Sequence, residues 1–214
     1  DIFGEIHEEM RQERFERLWQ RYGKVVISAA VAVVVAVAGF KAFQHYQTKQ
    51  RETHSAQYAA ASKLLVEGKN VEAAALFNNL SKEASKGYAA LSRFQQAAIK
   101  GGAGDALGAI KLYDQISLDS GVEESLREAA VIFSVSRQLD IGDTDNEKLE
   151  DRLKSLINKK GPWRHSAKEL SGLLALQAGD PSRARKRFIE ISDDLEASSN
   201  MRSRASQILA VIGK

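Results

Sequence analysis

The order of hydrophobic and polar positions divides this chain into two parts. Val25–Phe40 is an uninterrupted apolar run of 16 residues, bounded by Lys24 and Lys41. As a helix it measures roughly 24 Å, a little short of a bilayer's hydrocarbon core at about 30 Å. Trp19 and Tyr22 on one flank and Phe43 and Tyr46 on the other extend it with side chains suited to headgroup depth. Val, Ile and Phe supply 9 of the 16 positions, so membrane insertion is favourable by roughly 3–5 kcal/mol. The pattern predicts a single transmembrane signal anchor over 25–43. A charged juxtamembrane helix over 1–24 precedes it and a helical connector over 44–54 follows. Arg11, Arg14, Arg17, Arg21 and Lys24 precede the run against Lys41, Lys49 and Arg51 after it, which orients the N-terminus to the cytoplasm. Ala36-Val37-Ala38 offers the one small-x-small site at which the segment would instead be cleaved. The chain opens on Asp1 rather than Met, so a native N-terminus is expected ahead of it.

From residue 55 to 214 the pattern changes to short amphipathic segments with a 3.6-residue period. Strand-like alternation is absent from the sequence. Helices are expected over 53–67, 70–84, 86–100, 105–117, 123–140, 145–158, 163–178, 181–196 and 200–212. Gly-, Asn- and Asp-bearing turns separate them, as at Gly68-Lys69-Asn70, Gly101–Asp105 and Gly179-Asp180. Pro162 and Pro181 each stand where a helix opens.

Within the second helix of successive pairs, an alanine recurs four residues before an aromatic ring. The pairs are Ala73 with Phe77, Ala109 with Tyr113 and Ala184 with Phe188. From Ala73 to Ala109 is 36 residues, and from Ala109 to Ala184 is 75, about twice that. The intervening pair, 123–158, carries Leu149 and Leu153 in their place. Small residues Ala61, Ala97 and Gly172 stand twelve positions before the three alanines. The spacing predicts a repeat in which one helix approaches closely at the small residues while the ring fills the layer beside them.

Composition sharpens this picture mainly by exclusion. The net charge is +3, with basic and acidic side chains interleaved rather than striped, so no nucleic-acid partner is indicated. There is no cysteine, which removes disulfides, thiolate nucleophiles and cysteine metal sites. His7, His45, His54 and His165 are scattered without metal-ligand spacing, and read as surface histidines. Gly101–Asp105 lacks the Lys-Ser/Thr of a phosphate loop. The adjacent carboxylates Glu123-Glu124 and Asp193-Asp194 point in different directions on a helix. No cofactor, small-molecule substrate or catalytic activity is expected.

A period near 34–36 with Ala-x3-Phe in the second helix resembles tetratricopeptide repeats. The fold implied is all-α: a transmembrane helix, then an α-solenoid of about four degenerate helix pairs and a C-terminal capping helix. In such stacks the first helices line a concave groove. That pattern places Tyr58, Ser62, Leu65, Phe94, Ala98, Glu169, Leu173 and Leu176 towards it. In the anchor, Ser28, Ala32 and Ala36 form a small-x3-small face that permits close helix packing.

The tail adds to this. Asp1-Ile2-Phe3, Glu8-Glu9, Arg11, Glu13-Arg14, Trp19 and Tyr22-Gly23, followed by one span and degenerate repeats, resemble the YfgM-like family of single-span inner-membrane proteins. The resemblance implies an ancillary subunit of the Sec translocon with a periplasmic repeat domain. Its implied partners are translocon subunits, a membrane-anchored prolyl-isomerase-like chaperone and newly translocated proteins. Two other expectations fit the same residues: an adaptor for cell division or outer-membrane biogenesis, or a secreted repeat protein released after Ala38.

Overall fold

In the computed structural model the backbone is described for residues 2–142 and 145–213, and side chains for 19–142 and 145–213. Helical spacing sets Phe15, Leu18, Trp19 and Tyr22 on one face, and the side chains of Phe15 and Leu18 lie outside the described residues. Among the described residues the chain is all-helical, with α1 Ile2–Val66, α2 Asn70–Glu83, α3 Lys86–Gly102, α4 Ala106–Leu118, α5 Glu124–Ile141, α6 Asn146–Asn158, α7 Arg164–Gln177, α8 Pro181–Ser192 and α9 Ser199–Ile212. It divides into two compact units, residues 1–52 and 53–214.

The first unit is the N-terminal part of α1. Its Val33, Val34 and Val35 are exposed to about the same extent as their neighbours around the helix. The most apolar stretch has a mean hydropathy of 2.4, and none of it is buried. An all-round apolar helix is stable in water only when covered, so this one is long and apolar enough to cross a membrane.

The second unit is a stack of helix pairs in which each helix packs mainly on its chain neighbours. Its core is correspondingly serial. Ala61, Ala73, Phe77 and Leu80 form the first cluster. Ala90, Ala97, Ala109, Tyr113 and Ile116 form the next. Ile132, Val135, Leu149, Leu153 and Leu174 form the third, and Ala175, Ala184, Phe188 and Ile191 the fourth. All three alanine–aromatic pairs are buried. Gly172 shows why a small residue is required opposite the ring: a Cβ there would stand 2.8 Å from Cζ of Phe188.

The turn inside each pair uses one device. Gly68, Gly104, Gly142 and Gly179 all have φ between 73° and 88°, a left-handed conformation that costs glycine little. At three of them the chain closes back on the helix, as where the Asp180 N–H donates to the Ala175 carbonyl at 2.8 Å. Asp105, Asp145 and Asp180 then cap the following helix by accepting from the N–H three residues on. The glycines are 36, 38 and 37 residues apart, so they mark all four pairs, including the third, which lacks the alanine–aromatic step.

One boundary differs from expectation. Helix α8 ends at Ser192 rather than continuing to residue 196. The Asp194 carboxylate accepts the Glu196 N–H at 2.9 Å, and the turn this makes carries Ala197 into the core.

Candidate protein-binding groove

Within the second unit the first helices of the first three pairs leave an open cleft of about 340 Å³. Tyr58 of α1 forms one end. Leu91, Phe94, Gln95 and Ala98 of α3 form a wall, and Leu126, Ala129 and Phe133 of α5 face them. Tyr113 of α4 and Trp163, which precedes α7, complete it. On α5 the spacing of 126, 129 and 133 is one helix face, and on α3 the same holds for 91, 94, 95 and 98.

The rings are organised around Phe133, which remains 44% exposed. It stacks on Tyr113 at 5.5 Å and 23°, meets Phe94 edge-on at 5.9 Å and Trp163 at 6.5 Å. Phe94 and Tyr113 are themselves 5.8 Å apart. Such contacts each add roughly 0.5–1.5 kcal/mol beyond area burial, so the cluster holds its shape with Phe133 still open to solvent. The described lining carries no charged side chain, and two of its polar groups are satisfied internally. Gln95 donates through Nε2 to the Tyr58 hydroxyl at 3.0 Å, and the Trp163 indole N–H donates to the Ser125 carbonyl at 2.8 Å. Burial pushes the Tyr113 phenol above its ordinary pKa, opposed by the Arg137 charge, which keeps it neutral. The cleft therefore offers apolar contact rather than charge pairing.

Three of the eight residues expected along the groove, Tyr58, Phe94 and Ala98, line this cleft. Ser62 is half-buried one turn beyond Tyr58, and Leu65 packs on the core of the first pair. The fourth pair's residues lie elsewhere. Leu173 and Leu176 pack against the core that includes α9 side chains. Glu169 accepts two bonds from the Arg204 guanidinium at 2.9 Å each. Thus α9 covers the face that Glu169, Leu173 and Leu176 would otherwise open. Tyr113, expected only as a seam ring, also lines the cleft, and Phe133 and Trp163 are not among the expected groove residues. The stripe Leu126–Ala129–Phe133 carried a usable signal for the third pair's contribution.

In the first unit Ser28, Ala32 and Ala36 share one exposed face. The Ser28 hydroxyl donates to the Val25 carbonyl at 2.9 Å, so it needs no external acceptor. Two histidines differ from expectation: His54 and His165 are half-buried and partnered. Among the described residues no group of three His, Asp or Glu side chains could hold a metal ion.

Comparison with curated proteins and with solved structures gives no match. A family model described as a tetratricopeptide repeat-like domain matches residues 16–210, nearly the whole chain. Its reach across the serial cores, the glycine-closed turns and the alanine–aromatic seams decides the family, and the chain belongs to the tetratricopeptide repeat-like proteins.

Proposed function

We propose that this protein is a membrane-anchored scaffold, without catalytic activity of its own, whose repeat domain binds apolar segments of protein partners. The observation that carries this reading is the open ring cluster around Phe133 in an uncharged cleft. An aromatic surface of this kind is rarely left exposed without a use, and it suits an amphipathic helix or an extended chain that inserts apolar side chains. A charged tail or a phosphorylated motif would find no counter-charge there.

The finer reading places the scaffold at the periplasmic side of the Sec translocon in the bacterial inner membrane. The anchor is uncleaved and single-pass, with its N-terminus in the cytoplasm. There the domain links the channel to a membrane-anchored prolyl-isomerase-like chaperone and to newly translocated proteins. Its support is the resemblance of the tail and span to the YfgM-like family, together with the basic residues ahead of the span.

Site-specific photo-crosslinking in membranes tests both levels. A crosslinker at Ala98, in the cleft, should capture protein partners that one at Lys111, on the exposed side of α4, does not. Equal capture at the two positions would remove the groove from the proposal. Crosslinkers at Ala32 and Ala36 should capture translocon subunits, and capture of non-Sec proteins alone would favour an adaptor for another envelope assembly.

A further inference from the structure

His54 lies one turn before Tyr58 on α1, and its half-buried ring reaches the turn between α2 and α3. There Nδ1 accepts a hydrogen bond from the Ser85 backbone N–H at 3.2 Å. Ser85 is the N-cap residue of α3, and its own side chain makes no capping bond. Ala84 before it is extended, with φ −78° and ψ 164°, so the chain changes direction at the point the imidazole holds. A ring nitrogen accepts a hydrogen bond only while unprotonated, and in the imidazolium both nitrogens are donors. Protonation would set two N–H groups against each other. It would also place a positive charge by the N-terminus of α3, the positive end of its dipole.

We propose that neutral His54 is a latch joining α1 to the start of α3, and that its protonation releases the latch. What the latch positions is the end of the groove. Tyr58 packs on Phe77 at 5.3 Å and on Tyr88 at 5.8 Å, and its hydroxyl accepts from Gln95 on α3. The Tyr88 and Gln95 contacts join the same two helices, α1 and α3, that His54 and Ser85 tie together one turn earlier. Acidification therefore loosens the Tyr58 end of the cleft while the Phe133 cluster, built on α3, α4 and α5, stays in place.

The ionisable residues within four positions of His54 and Ser85 along the chain are Arg51, Glu52 and Tyr58 on α1, Lys82 and Glu83 at the end of α2, and Lys86 and Tyr88 at the start of α3. Carboxylate, ammonium, guanidinium and phenol groups ordinarily titrate outside about pH 5–8, whereas imidazole titrates inside it.

Hydrogen exchange of the Ser85 amide, measured by NMR on the full chain in detergent micelles and corrected for intrinsic exchange, tests the latch independently of any ligand in the groove. Protection should fall about tenfold between roughly pH 8 and pH 5, from the lost bond and the unfavourable dipole contact. In His54→Asn, whose side-chain oxygen does not titrate, the pH dependence should vanish whatever the level of protection. In His165→Asn it should persist. Flat protection in the parent protein would overturn the proposal. So would an unchanged pH response in His54→Asn, or its loss in His165→Asn.

Discussion

The third and fourth helix pairs solve the same packing problem with different chemistry. In the fourth, Phe188 is fully buried against Gly172, and the seam depends on one ring meeting one missing side chain. In the third, Leu149 and Leu153 fill the layer, and ion pairs tie the pair to its neighbours. Arg152 of α6 donates to Asp114 of α4 at 2.6 Å, and Ser134 of α5 donates to the same carboxylate oxygen at 2.6 Å. On the other side Ser171 of α7 donates to Glu150 of α6 at 2.7 Å, and Arg187 of α8 donates to Ser171 at 3.1 Å while pairing with Glu150 at 3.6 Å. A repeat can thus lose its aromatic signature and keep its place where polar groups that cross pairs hold it.

The comparison breaks most directly at Phe188. Phe188→Ala removes the ring from a seam that cannot collapse around Gly172, and should lower stability by about 3–5 kcal/mol. Thermal melting of the full chain in detergent checks it, and an unchanged midpoint would place the fourth seam elsewhere. At the seam between the third and fourth pairs, Arg187→Met should cost about 2–3 kcal/mol, because Glu150 of α6 is left buried without its counter-charge. Adding Glu150→Gln should restore part of that loss in chemical denaturation, whereas two additive losses would show that the pair is not coupled.

Gly172→Ala sharpens the contrast by overpacking the aromatic seam, with an expected cost of about 1–3 kcal/mol. Combining it with Phe188→Leu should reduce that penalty. Smaller still is the closure of the fourth pair's face by α9. Arg204 is half-exposed, so Arg204→Ala should change stability by less than about 1 kcal/mol, yet raise exchange of the α9 amides.

The loop after α8 supplies the pH-dependent case. His165 beside Asp194, with the Glu196 N–H and Arg164, holds that carboxyl below the ordinary aspartate range. A carboxylate favoured in the folded state stabilises above its unfolded pKa, and the contribution disappears as pH falls through the lowered folded value. Proteolysis within residues 193–198 should therefore rise in acid in the parent protein, and should depend less on pH in Asp194→Asn.

The repeat lattice was largely legible in the sequence. Glycine and aspartate at the turns, 3.6-residue amphipathicity and the alanine–aromatic step are local signals. They act within a turn or two of chain, where backbone geometry and propensity decide the outcome. The early end of α8 was not legible, because Asp194 and Ala197 act through a turn and a tertiary pocket that helical periodicity does not register. The groove was legible only at Tyr58, Phe94 and Ala98. Phe133 and Trp163 become part of it through α5 and the start of α7, whose placement beside α3 and α4 depends on packing.

By itself, then, the sequence determined an all-helical repeat, its period, its turns and a segment apolar enough to enter a membrane, since each follows from interactions between residues close in the chain. Tertiary structure alone decided which apolar faces stay open. Glu169, Leu173 and Leu176 have the same helical credentials as Phe94 and Ala98, but α9 lies over them. Phe133 stays exposed because, among the described residues, no following helix covers it. Exposure depends on what packs opposite a residue, and that partner can stand 30 or more residues away, as Arg204 does from Glu169.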